Sequence, residues 1–305
     1  MKNILTKLLL LFSVPVSLLS QQISDTSYNP VINNPAYEKG EGPVIFIDEG
    51  HNNFHTKSER YSAFAKVLEK DGYILKGYAG EFDGDKLSKG KILVIANALN
   101  IINANEWCVP TPSAFSDKEI ETLKNWVSRG GNLFLIADHM PFSGAAAGLA
   151  KSFGFEFTNG FALDTNSRGP SLFSRDKNTL QNNVITNGKD ASESVNIIYT
   201  FTGQAFKIPE DAFPILIFGD NHTNFLPDTA WVFNNETPKY NLKGWYQGAY
   251  KKFGKGRVVM FGEAAMFTAQ LAGPDKNKIG MNSSYATDNY KLLLNIIHWL
   301  DGKLE

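Results

Sequence analysis

The chain has 305 residues, 43% of them hydrophobic and 20% charged, with 30 Lys and Arg against 31 Asp and Glu. That apolar share suits a packed core and excludes a disordered chain, and balanced charge without a basic stripe excludes a dedicated nucleic-acid binder. The single cysteine, Cys108, excludes an internal disulfide framework and a cysteine-rich zinc or iron–sulfur site.

Residues 1–20 open with Lys2 and Lys7, run through an apolar stretch at 8–19 and reach the small residue Ser20. This order is that of a secretory signal peptide. The stretch is short for a membrane span and carries Pro15; the other reading is an amphipathic or anchor helix. No later segment has the pattern of a membrane helix. The mature chain is therefore expected to be exported, periplasmic or extracellular, without stable membrane insertion.

Residues 21–42 are polar and turn-rich and read as a leader to the first core element. The apolar run 43–47 has the pattern of a strand buried on both faces, and Asp48, Glu49, Gly50, His51, Asn52 and Asn53 follow it. Residues 58–70 carry Tyr61, Phe64, Ala65 and Leu68 at helical spacing, and Asp71-Gly72 stops that helix. Strands are expected at 73–78 and 91–96. Ser116 and Glu119 form a capping box for a helix whose Ile120, Leu123 and Val127 share a face. A fourth strand at 132–137 runs into Asp138 and His139, and an Ala/Gly-rich helix is expected at 143–153.

This alternation implies an α/β fold with a mostly parallel sheet and helices on both faces. The rhythm fails over about 156–212, which reads as an irregular or β-rich insertion within one domain spanning 43–302. A strand at 212–218 precedes Asp220, Asn221 and His222. Another at 256–261 ends in Gly262-Glu263, and a helix at 287–300 places Leu292, Leu293, Ile296 and Trp299 on its core side.

In open α/β sheets ligands bind beyond the carboxyl ends of the strands. Asp48, Glu49, His51 and His55, then Asp138 and His139, then Glu263 all fall there. His51, His139, Asp138 and Glu263 are the candidate catalytic residues. Asp48, Asn52, Trp231 and Trp245 are the candidate ligand-binding residues. Imidazoles and carboxylates in this setting suit a divalent metal such as zinc, held by His51, His139 and Asp48. They equally suit metal-free acid–base work, or capping and loop-ordering duties. His55 and His222 are weaker candidates, and His298 in the last helix reads as structural. Cys108 lies in an irregular segment and reads as an inert thiol. No G-x-S-x-G elbow, P-loop or G-x-G-x-x-G is present. Trp231, Phe233, Tyr240, Trp245, Tyr246 and Tyr250 lie within 20 residues. They form either a sugar-stacking platform or a lid or edge hairpin packed on the core.

The segment FSDKEIETLKNWVSRGGNLFLIADH at 115–139 resembles the helix–strand core of the class I glutamine amidotransferase-like superfamily. It is most similar to uncharacterised gliding-motility-associated and trehalose-utilisation-like domains. GRVVMFGEAAMF at 256–267 and DNYKLLLNIIHWL at 288–300 resemble the closing strand and helix of those domains. The resemblance covers 43–155 and 213–302 and implies a flavodoxin-like sheet. Its amidotransferases carry a nucleophilic Cys after the strand that here ends in Ala137. This chain has Asp138 and His139 there, so thiol-based glutamine hydrolysis is not expected. The closing motif of relatives often carries two acidic residues, and here only Glu263 remains.

The leading expectation is an exported protein whose strand-end pocket takes a small polar or carbohydrate-like ligand, as a metal-assisted or His/carboxylate hydrolase. The alternatives are a non-catalytic ligand- or glycan-binding domain and a cell-envelope structural module.

Overall fold

A computed structural model describes residues 22–166 and 170–305; the expected export segment, residues 1–20, lies outside the described residues. Four short, β-branched or aromatic-rich runs form the first strands of the central sheet: β1 (Val44–Asp48), β2 (Ile74–Tyr78), β3 (Ile92–Ala96) and β4 (Asn132–Ile136). Later in the chain come β5 (Glu156–Phe157), β6 (Phe206–Lys207), β7 (Phe213–Ile217), β8 (Tyr246–Phe253) and β9 (Gly256–Phe261). The longer helices are α1 (Ser62–Lys70), α2 (Asp117–Ser128), α3 (Phe142–Ser152) and α4 (Asn289–Asp301).

The parallel part of the sheet runs β2-β1-β3-β4-β9. Beyond β9 every pairing is antiparallel: β8 pairs with β9, β7 and β6 both pair with β8, and β5 pairs with β6. The sheet is therefore mixed, which corrects the expectation of a mostly parallel one. Alternation along the strands explains the two layers of helices. Ile45, Ile47, Val94, Phe134, Ile136, Val259 and Phe261 pack with Phe64 and Leu68 of α1 and with Leu292, Leu293 and Ile296 of α4. Phe46, Leu93, Ile95, Leu133, Leu135 and Met260 face the other way, toward Leu123 and Val127 of α2 and Leu149 of α3. A period of two sends successive side chains to opposite faces, so strands covered on both sides read as continuous apolar runs.

The sequence does not mark strand β8, because Gly248 and two lysines interrupt its apolar pattern. Gly248 has a packing reason to be there: a Cβ at that position would meet the Phe261 ring at 2.8 Å. The ring of the neighbouring strand lies across the glycine and fills its place.

The 156–212 segment is β-rich, as expected, but it is not one separate unit. β5 and β6 extend the main sheet, Phe161–Asp164 joins His222–Phe225 and Lys239–Asn241 in a second sheet, and Ser171–Ser174 pairs with Ile197–Thr200. The described part of the expected leader is tied into the fold. Gln22–Ser24 pairs with Ala269–Ala272, and Tyr37 packs edge-on against Tyr73 and donates to Asp301 at 2.6 Å.

Candidate active site

The strand order 2-1-3 puts the direction reversal between β1 and β3, where an open α/β sheet leaves a crevice at its carboxyl edge. The segments after β1, β3, β4 and β9 converge on that edge, together with turns from the second sheet. The structure sorts the expected site residues there into two distinct groups.

In the first group His51 is pinched between carboxylates. Its Nδ1 lies 2.9 and 3.0 Å from the two Asp48 oxygens, and its Nε2 lies 2.8 Å from Glu119 Oε1. The ring sits between Phe82 and Phe115, with centroids 4.5 and 4.9 Å away. Burial pulls the His51 pKa down, but the hydrogen bonds and charges of Asp48 and Glu119 outweigh it and hold it above the usual imidazole value. Burial likewise pushes Glu119 up, yet hydrogen bonds from Ser116, His51 and the Phe82 N–H bring it below the usual carboxylate value. Asn53 Nδ2 adds a donor to Asp48 at 2.9 Å. An imidazole with both nitrogens committed is a clasp, joining the loop after β1 to the capping box of α2. Expected as a catalytic or metal-binding residue, His51 has both ring nitrogens taken up by carboxylates here, and Asp48 bonds to His51 and Asn53. Because Ser116 Oγ both caps α2 and holds Glu119 Oε2 at 2.8 Å, Ser116→Ala is expected to cost about 1 kcal/mol, read as a lower denaturant midpoint. An unchanged midpoint would show that the box adds nothing to the clasp.

The second group lines a cavity of about 610 Å³ that holds Asp138, His139, Glu263, His55, Asn97 and Arg60 together with Phe54, Trp107 and Trp231. His139 follows β4. Its Nδ1 is 2.6 Å from the Met140 carbonyl oxygen, so Nδ1–H donates there and leaves Nε2 with the lone pair. Nε2 makes no hydrogen bond with the described residues. The ring stacks on Phe161 at 4.3 Å and meets the edge of Trp231 at 4.8 Å. Burial lowers its pKa, with the Asp138 charge and the Met140 bond opposing, so the imidazole is kept neutral.

Asp138 is buried beside it. The Asp138 N–H donates to Asn97 Oδ1 and Asp138 Oδ1 accepts the His139 N–H, both at 2.8 Å. Asn97, at φ +49° after β3, occupies the left-handed region that asparagine tolerates. Glu263, at the end of β9, is fully buried. Its two oxygens accept the N–H groups of Ala265 and Met266 at 2.8 Å each. Burial first, and then the charge of Asp138, push its pKa well above the usual carboxylate value. His55, rated a weak candidate, also lines this cavity; burial and then the Arg60 charge bring its pKa down to about 3.

Asn52, Trp245 and the weaker candidate His222 lie elsewhere. Asn52 is exposed, stands at φ +47° and donates to the Leu99 carbonyl, shaping its turn without reaching the cavity. Trp245 packs on Tyr240 at 5.3 Å under the Lys207 ammonium and does not line the cavity, whereas Trp231 does. His222 is buried with its Nε2 2.9 Å from Ser171 Oγ. His298, in α4, is buried and bonded to Asp71 at 2.6 Å. Cys108 is half-buried and its backbone bridges to Thr229. Asn97, Arg60 and Trp107 had no assigned role in the sequence; only Asn97, directly after an apolar strand, carried a local signal.

The proposed metal set does not converge. His51 lies in the clasp, His139 lines the cavity with Nδ1 already bonded, and among the described residues no group of three or more His, Cys, Asp and Glu is placed to hold a metal ion.

No protein-family model and no curated protein matches the chain. Among solved structures it is similar to the mmIFT52 N-terminal domain, at 14% identity and TM-score 0.59, over 84% of this chain and 97% of that one. It is also matched to the cytoplasmic protein STM3548 from Salmonella typhimurium, at 13% identity and TM-score 0.49 over 85% and 98%. A third match is a ThuA-like protein from Bacteroides uniformis, at 11% identity and TM-score 0.48 over 91% and 96%. At such identities a shared structure speaks for the fold and not for the chemistry. The chain shares its α/β fold with the mmIFT52 N-terminal domain.

Proposed function

We propose that the chain is an acid–base hydrolase whose cavity takes a small polar, carbohydrate-like ligand. One observation carries this reading: a neutral imidazole with a free Nε2 and a carboxyl biased toward its protonated form face the same aromatic-walled cavity. His139 Nε2 takes a proton from the attacking water, and the negative charge of Asp138 steadies the imidazolium that forms. Glu263 gives its proton to the leaving oxygen. Two titratable groups whose surroundings push them to opposite protonation states supply base and acid at one pH. Ring faces such as Trp231 pack against the C–H faces of a sugar. The basic and apolar pattern of residues 1–20 supports action outside the cytoplasm. Among the described residues no helix is long and apolar enough to cross a membrane.

The test is hydrolysis of a panel of 4-nitrophenyl glycosides by the full chain. Trp231 is 52% exposed at the cavity wall, so Trp231→Ala is expected to raise KM about tenfold with kcat little changed, the loss of one aromatic contact. An unchanged KM removes the sugar platform.

A second reading, a non-catalytic binding domain, is favoured by the bonding of Glu263. Both of its oxygens already hold the Ala265–Phe267 turn through backbone N–H groups. Sugar binding by thermal shift, with no hydrolysis of any glycoside in the panel, would select it.

A further inference from the structure

We propose that Arg60 recognises a carboxylate on the ligand, which makes the cavity a site for acidic sugars of the uronic-acid type. This rests on the carbohydrate reading of the cavity and narrows its substrate class.

Arg60 stands just before α1 and lines the cavity. Its guanidinium lies 4.1 Å from the Phe54 ring centroid. Nη1 donates to Gln22 Oε1 at 3.3 Å and to Gln270 Oε1 at 3.0 Å. Gln270 is itself fixed, donating through Nε2 to Thr268 Oγ1 at 2.8 Å, so its oxygen is turned toward the arginine. Among the described residues, every hydrogen-bond partner of the guanidinium is therefore a neutral amide. Among the described residues no carboxylate lies within ion-pair distance of it, and its Nε and Nη2 make no hydrogen bond.

Charges withdrawn from water are normally paired, because an unpaired one is costly. Arginine stays cationic at any physiological pH, so it cannot escape that cost by losing its proton. Here the guanidinium is half-buried, stacked and oriented by two amides, and the Nε–Nη2 edge of this cavity-lining residue has no hydrogen-bond partner among the described residues. That edge presents two parallel N–H donors, the geometry that binds a carboxylate through both of its oxygens. Phosphate fits the fork as well, but the charge balance disfavours it. Asp138 shares the cavity, His55 and His139 are both held neutral by burial, and Arg60 is the one lining cation among the described residues. With the Asp138 charge counted, a monoanion leaves the cavity one negative charge in excess and a dianion two, so the singly charged carboxylate is the better fit. The aromatic wall then accounts for the apolar face of the ligand and Arg60 for its charge.

The experiment is calorimetric titration of the full chain with glucuronate, galacturonate, glucose, galactose and inorganic phosphate. Uronates are expected to bind at least about tenfold more tightly than their neutral counterparts, the scale of one charge-assisted contact. Arg60→Gln should remove the uronate preference, bringing the uronate-to-neutral affinity ratio down to about one. Arg60→Lys, which keeps the charge and loses the fork, should fall between. If Arg60→Gln does not fold, the lysine variant and the uronate-to-neutral ratio of the wild type decide. Acidic and neutral sugars binding alike would overturn the inference and leave the sugar cavity standing. Binding of none of the four sugars would overturn both. Phosphate bound in preference to uronates would overturn the carboxylate assignment alone.

Discussion

His51→Ala is expected to lower stability by about 3–5 kcal/mol at pH 5.5, the scale of removing one partner from a buried ion cluster. The loss exceeds the packing of the ring because Asp48 and Glu119 stay behind, buried, with the shared cation gone. Its pH dependence follows from the directions of the two shifts. His51 has a folded pKa above its ordinary 6.5, so its contribution is complete below that value and disappears as pH rises through the raised folded value. Glu119 has a folded pKa below its ordinary 4.5, so its contribution is present above 4.5 and is lost as pH falls through the depressed folded value. The gap between wild type and variant should therefore be widest between 4.5 and 6.5 and narrow at alkaline pH. Urea unfolding of both proteins at pH 5.5 and pH 9 measures it. An equal gap at both values would mean that the ring acts only by packing against Phe82 and Phe115.

The clasp also shows how far a sequence can be read. β1, β3, β4 and β9 were legible within a residue or so of their ends, because a strand covered on both faces must be apolar throughout. The Ser116–Glu119 capping box was legible for the same local reason, being complete within four residues. Strand β8 was not, since the Phe261 ring that compensates Gly248 comes from the next strand. At the site, polar residues directly after apolar runs marked Asp138, His139 and Glu263 correctly as lying at the sheet's carboxyl edge. The same rule could not tell His51 from His139. What separates them is Glu119, 68 positions after His51 and itself disguised as a helix cap. Arg60 and Gln270 are 210 positions apart and meet only through the small sheet that closes the cavity. Local patterning locates an edge, and long-range contacts decide which side chains there remain free to react.

His139→Ala is expected to reduce turnover of the best glycoside by about 10²–10⁴-fold, the usual worth of a positioned general base. Loss of rate alone would not identify the role, since the ring also supports Phe161 and Trp231. The pH profile does. Burial lowers the His139 pKa, so the wild-type profile should have its acid limb below pH 6.5, where the imidazole gains a proton and stops acting as base. Burial and the Asp138 charge raise Glu263, so the alkaline limb should lie well above the ordinary carboxylate value, where the acid loses its proton. The residual activity of His139→Ala should lack the acid limb and keep the alkaline one, and Glu263→Gln should do the reverse. Glu263→Gln also replaces one of the two side-chain oxygens that accept backbone N–H groups with an NH2 donor, facing either the Ala265 or the Met266 N–H. It should therefore lose about 1–3 kcal/mol of stability, the cost of one buried unsatisfied group. An acid limb that survives in His139→Ala would move the base to another cavity residue. His55, with a pKa of about 3, would place that limb near pH 3 and so be distinguished at once.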